Sequence, residues 1–159
     1  MKSNAQNQSG LKDTIFEKME FNHSVEEIDP PPPNFVYKYQ RIEDWLTAIC
    51  NHNKPLKKIS SYTIGLFETN ENIVLTFFGI NTKTLDNNHS ETHIDFIPAD
   101  TYFKIPKPEY DNLTRDAIYN KLILEIIEFT KTQTFKKSIL AASNEIIFET
   151  TGKLIWKKE

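Results

Sequence analysis

Between Gln40 and His52 the apolar side chains Ile42, Trp45, Leu46, Ile49 and Cys50 recur at i, i+3, i+4, i+7 and i+8, with Arg41, Glu43, Asp44 and Thr47 off the stripe. This is the pattern of an amphipathic helix. Lys54-Pro55 should end it, because the residue before a proline resists helical dihedrals. The period then changes to two. Tyr62, Ile64 and Leu66 alternate with Thr63, Gly65 and Phe67, and the turn residues Asn70-Glu71-Asn72 lead into Ile73 to Ile80, which predicts a hairpin. Its second strand carries Ile73, Leu75 and Phe77 on one side and Val74, Phe78 and Ile80 on the other, as a central strand does. Asn81 to Glu91 reads as a polar loop, and Thr92 to Ile97 as a strand that sets Ile94 and Phe96 against His93 and Asp95 before Pro98 stops it.

Pro106 and Pro108 punctuate an ordered loop with a short edge strand at Tyr102 to Ile105. Thr114 is placed as the N-cap of a long helix to Lys131. Leu113 and Ile118 form a hydrophobic staple, Asp116 sits in the first turn, and Ile118, Leu122, Ile126 and Phe129 make the seam. A short helix from Phe135 to Ala142, capped by Thr134, and a final hairpin around Gly152, from Glu145 to Thr150 and Lys153 to Lys157, complete the pattern. The expected fold is α+β, an antiparallel sheet of about five strands packed by roughly two or three helices.

The chain of 159 residues suits one domain. Residues 1–34 are expected to be a tail to Gly10, an arm of no clear period from Leu11 to Ile28, and a stiff spacer made by Pro30 to Pro33; residues 35–159 are the domain. With 19 Lys plus Arg against 22 Asp plus Glu, the net charge of −3 disfavours a nucleic-acid partner, whose phosphates call for a basic excess. The N-terminus develops no secretory apolar run, and no apolar stretch is long enough for a membrane span. A lone cysteine, Cys50, adds to the expectation of a cytoplasmic protein without membrane contact.

Candidate chemistry centres on His89-Ser90-Glu91-Thr92-His93-Ile94-Asp95. Alternation puts His93 and Asp95 on one strand face with His89 on the loop before it, and two imidazoles and a carboxylate are ligands for zinc or a related ion. A metal-binding protein or hydrolase centred on His89, His93 and Asp95 is therefore one reading. The competing one is a solvated strand face, since the strong two-histidine metal signature places its pair at i and i+4 on a helix. Cys50 lies on the apolar stripe, where a thiol is packing material. Glu26-Glu27 and Glu43-Asp44 are sequence neighbours that do not face each other. Gly10, Gly65, Gly79 and Gly152 are too scattered to cradle a phosphate, so no cofactor is expected.

Both faces of the first hairpin are apolar, and so are both faces of the last. Either the chain's own helices and arm cover both sides, or one side is a binding surface for another chain or a second copy. An acidic lead-in, the helix carrying Glu43-Asp44-Trp45-Leu46, the strand Tyr62-Thr63-Ile64-Gly65-Leu66-Phe67-Glu68, a hairpin and a late helix occur in that order. In size, acidity and element order, residues 35–158 resemble small cytoplasmic immunity proteins of bacterial polymorphic toxin systems. The resemblance implies a protein that binds and blocks a cognate toxin without doing chemistry. The expected function is thus a non-catalytic, immunity-type inhibitor that contacts its partner through His89, Glu91, His93 and Asp95. A homodimeric accessory or structural module using the spare apolar face is the further alternative.

Overall fold

A strand that is apolar on both sides avoids water only in the middle of a sheet, and Ile73–Asp86 occupies that place. The computed structural model describes residues 23–25, 27–52 and 54–159. In chain order these form β1 (His23–Val25), α1 (Ile42–His52), β2 (Ser61–Glu68), β3 (Ile73–Asp86), β4 (His89–Phe96), β5 (Tyr102–Lys104), α2 (Arg115–Thr130), α3 (Gln133–Lys136), β6 (Glu145–Phe148) and β7 (Lys153–Lys157). One sheet of order β1-β4-β3-β2-β6-β7 takes all the strands, with β5 also paired to β3. The fold is α+β. The expectations for residues 1–10 and for most of the following arm lie outside the described residues.

Pairing is antiparallel within β2–β3, β3–β4 and β6–β7, as local hairpins require, and also between β3 and β5. It is parallel between β1 and β4 and between β2 and β6, so the sheet is mixed rather than wholly antiparallel. The long detour through α2 and α3 brings β6 back beside β2 in the same direction, a docking that no local pattern in the final hairpin announces.

The register Ile64↔Phe77 and Leu66↔Leu75 gives β2 and β3 one shared face beneath the helices. Trp45, on α1, is fully buried there. Its ring stacks on Phe103 at 5.5 Å and meets Phe77 edge-on at 6.4 Å, while Nε1 donates to the Asp100 carbonyl at 2.7 Å. At the other end Phe135 fills the space between Phe129 and Trp156, with centroids at 6.2 and 5.1 Å. The Thr114 hydroxyl accepts from the Ala117 amide at 3.1 Å and starts α2 as its spacing predicts. The next helix differs from expectation. Thr132, not Thr134, caps α3, which lasts one turn, and Leu140–Ala142 is a separate 3₁₀ turn. The Ser138 hydroxyl accounts for the break: it donates to the Phe135 carbonyl at 2.6 Å and accepts from the Leu140 amide at 3.1 Å, in competition with the helix ladder.

The sheet's second face is also covered within the chain. Thr63, Val74, Thr76 and Phe78 are between 2% and 6% exposed, so the apolar excess leaves no open side at the centre of the sheet. Part of the cover is the strap that runs from Asp29 through the prolines to Tyr39. Phe35 packs edge-on against Tyr102 at 5.2 Å, the Tyr102 hydroxyl donates to the Asp29 carbonyl at 2.5 Å, and the Lys104 ammonium lies 5.4 Å from the Tyr37 ring centre. A latch holds the strap's end. Asp100 accepts from the Tyr39 hydroxyl at 3.1 Å and pairs with Lys38 at 3.3 Å. The premise of a spare apolar sheet face, shared by the readings of another chain or a second copy docking on it, is therefore removed at the centre of the sheet.

Candidate functional site

The stretch from Asn81 to Glu91 is not a loop. Thr82 pairs with Thr92, Lys83 with Glu91 and Asp86 with His89, so β3 and β4 continue as a ribbon beyond the core, edged by β1 along Ser90–Thr92 and two-stranded only towards its tip. The physical reason is local. Threonines at 82, 84 and 92 favour extended backbone, and the Asp86 carboxylate accepts from the Asn88 amide at 2.9 Å to close a tight turn. Residues 82–89 are exposed.

A bulge at the base of the ribbon decides which side chains share a face. Gly79 pairs with Phe96 but Ile80 pairs with Ile94, which leaves Asp95 as the extra residue. Ile94 and Phe96 consequently fall on opposite faces, contrary to simple alternation. Phe96 packs on Tyr62 at 6.0 Å, while His93 and Glu91, opposite Asn81 and Lys83, continue the same side of the sheet past the helices.

The candidate residues separate into three groups. His89, the first residue of β4 rather than part of a loop, has Nδ1 2.8 Å from an Asp86 carboxylate oxygen at the ribbon's tip. His93 Nε2 lies 3.0 Å from a Glu91 carboxylate oxygen half-way down. Asp95 accepts from the Asn81 side-chain amide at 2.9 Å and has Lys57 at 3.6 Å. Asn81 in turn accepts from the Ser60 amide at 2.7 Å and donates to the Lys58 carbonyl at 3.1 Å, so Asp95 belongs to the joint that pins residues 57–60 to the ribbon's base. His89, His93 and Asp95 are not drawn to a common point. Among the described residues no group of three or more His, Cys, Asp or Glu side chains could hold a metal ion. Asn81, Lys57 and Asp86 were not singled out from sequence; of these, Asp86 had a readable signal in the turn residues Asp86-Asn87-Asn88.

Local electrostatics follow from these partners. The Asn88 amide, and after it the His89 ring, hold the Asp86 carboxyl below its usual range. Burial pushes the Cys50 thiol up, against a smaller opposing hydrogen bond with Ser138, and keeps it protonated near neutrality as packing material should be. Burial likewise takes the Tyr62 phenol up to about 12. Glu149 is the acidic group out of balance. The residue reaches water, but one carboxylate oxygen lies only 3.0 Å from where a Cβ at Gly65 would stand. Desolvation first, then the negative charge of Glu27, raises its pKa. A carboxyl raised in the folded state favours folding below its unfolded pKa, and that favour is lost as pH rises through the folded value. Glu149→Gln should therefore raise the melting temperature at neutral pH, with the gain shrinking to nothing below pH of about 4. Thermal melts across pH check this, and a gain that stays constant with pH would refute it.

Hollows lined by described residues include two that bear on function. One of about 300 Å³ lies beside the strap and contains the latch side chains Lys38, Tyr39 and Asp100. The other, about 410 Å³, is a groove between the start of α1 and the outer side of α2. Among the described residues no helix is long and apolar enough to cross a membrane. Compared with known proteins, the chain matches no family model, no curated protein and no solved structure.

Proposed function

We propose that this chain is a non-catalytic protein-binding domain of the cytoplasm, an immunity-type inhibitor that covers and blocks a cognate toxin, and that the β3–β4 ribbon is part of the contact. The observation that carries this reading is the ribbon itself: a pre-formed projection, exposed over residues 82–89 and edged by β1 along Ser90–Thr92, whose polar side chains are set in place by neighbours on the same ribbon. A rigid projection loses little conformational entropy on docking, so more of the contact energy appears as affinity. Charged groups such as Asp86, Glu91 and Lys83, with the His89 imidazole beside them, would steer encounter and register more than they add raw affinity. Asp95, committed to Asn81 and Lys57, would support the ribbon's angle rather than touch the partner. The metal or hydrolase reading has less support, because its three ligands lie in separate groups.

The test is co-expression of the tagged full chain with the products of adjacent genes, followed by affinity capture and mass measurement. The expected result is an equimolar complex with a toxin whose activity is suppressed in it. Glu91→Lys combined with Lys83→Glu should weaken that complex while leaving the fold intact. Failure of every adjacent gene product to copurify would overturn the reading.

A further inference from the structure

α2 is apolar on more sides than its seam requires. Ile118, Leu122, Ile126 and Phe129 are buried against the sheet, yet Leu124, off that seam, stands 62% exposed among charged neighbours. A helix with one buried face normally places a polar residue there. Leu124 opens instead into the 410 Å³ groove, whose apolar lining it shares with Ile42 and Phe129. That volume falls in the range of sites that seat side chains or small ligands, about 300–1,000 Å³.

The rim is acidic. Glu43, Glu109, Glu125 and Glu128 line the groove against one guanidinium, that of Arg41. Arg41 is already engaged by Glu43 and, at 3.7 Å, by Asp44. Lys121 bridges Glu109 at 3.3 Å and Glu125 at 3.1 Å, and Lys131 holds Glu128 at 2.6 Å. These ion pairs are largely exposed, a setting in which a pair contributes little, so the chain's own cations are displaceable by incoming ones. Apolar lining and anionic rim together specify complementary chemistry: an apolar side chain to cover Leu124, carried on a segment with lysine or arginine on either side.

We infer that the α1–α2 groove is a docking site for a cationic, apolar-tipped segment of a protein partner. It rests on the protein-binding reading for the class of partner, while the ribbon and the groove are separate surfaces. The anchor buries its apolar end on the exposed Leu124, beside the largely buried Ile42 and Phe129, and its flanking cations compete with Lys121 and Lys131 for Glu125 and Glu128.

The experiment is a titration of the isotope-labelled full chain, followed by NMR, with a short synthetic peptide alternating leucine and lysine. Two control peptides replace either the lysines by glutamate or the leucines by serine. Saturable shifts centred on the amides of Ile42, Leu124 and Phe129 are expected with the first peptide and not with the controls. Leu124→Ser and Glu128→Lys, both at exposed positions where the fold tolerates change, should each weaken binding by about tenfold. Absence of saturable shifts, equal binding of the glutamate peptide, or shifts centred elsewhere would overturn the inference. A toxin complex that forms yet is indifferent to both substitutions would sink the groove and leave the protein-binding reading standing.

Discussion

Trp45→Ala is expected to cost about 3–5 kcal/mol, the range for removing a buried aromatic side chain. This side chain ties several parts of the fold together. It is fully buried, lies against Phe77 of the central strand and Phe103 of β5, and holds the Asp100 carbonyl through its indole N–H. Asp100 is also the latch for the strap, so the loss should spread to Lys38 and Tyr39. With total stabilities of domains at about 5–15 kcal/mol, the variant would be at the margin of folding. Trp45→Phe separates the two contributions: it keeps most of the packing but leaves the Asp100 carbonyl unpaired, at a cost of about 1–3 kcal/mol. Urea denaturation measures both. A loss of under about 1 kcal/mol for the alanine variant would show that Trp45 is not the keystone described.

Gly79→Ala should destabilise by about 1–3 kcal/mol, although alanine has less chain entropy to lose than glycine. The sign is decided by space. A Cβ at this position would stand 2.7 Å from Ile59 Cγ2, 3.0 Å from Tyr62 Cε1 and 3.2 Å from Phe96 Cβ, all packed core atoms. Gly79 also pairs with Phe96 at the edge of the bulge, so displacement there should propagate into the angle of the ribbon. Ile59→Ala, unlike Ile59→Val, deletes the clashing Cγ2, so combined with Gly79→Ala it should cost less than the sum of the two single losses, a coupling that a double-mutant cycle reads directly. Gly65→Ala should be milder, since one of its closest neighbours is the flexible end of Glu149. Equal stability of Gly79→Ala and the parent chain would refute the packing account.

Elements whose signal is local were legible in the sequence. The stripe of Trp45, Leu46 and Ile49 gave α1, Thr114 gave the start of α2, and Asn70-Glu71-Asn72 gave the first hairpin, because spacing, capping and turn chemistry all act within a few residues. The ribbon was missed because its strands are built from Thr, Lys, Asn and Ser, which fit a loop as well as a strand whose backbone pairs outside the core. The bulge at Asp95 was invisible for a different reason. It exists to fit Phe96 opposite Gly79 while Ile94 stays opposite Ile80, a demand made by the neighbouring strand. The candidate residues were read as one strand face with His89 on the loop before it; their division into a tip pair, a middle pair and a base joint depends on Asp86, Asn81 and Lys57, which only the register brings near. Leu124 was overlooked because a leucine in a helix already rich in apolar residues raises no local alarm.

The three-residue match of β1 along β4, His23 to Ser90 through Val25 to Thr92, also has a meaning for how the protein ages and fails. Bringing these strands together closes a long stretch of chain for a handful of backbone hydrogen bonds, a poor return on entropy that makes this seam an early one to reopen. When it lifts, the outer border of β4 becomes a bare template, and a second molecule in the same condition supplies a matching one. Oligomers seeded by a brief loss of that hem, rather than by melting of the interior, would be the characteristic way for this protein to come out of solution.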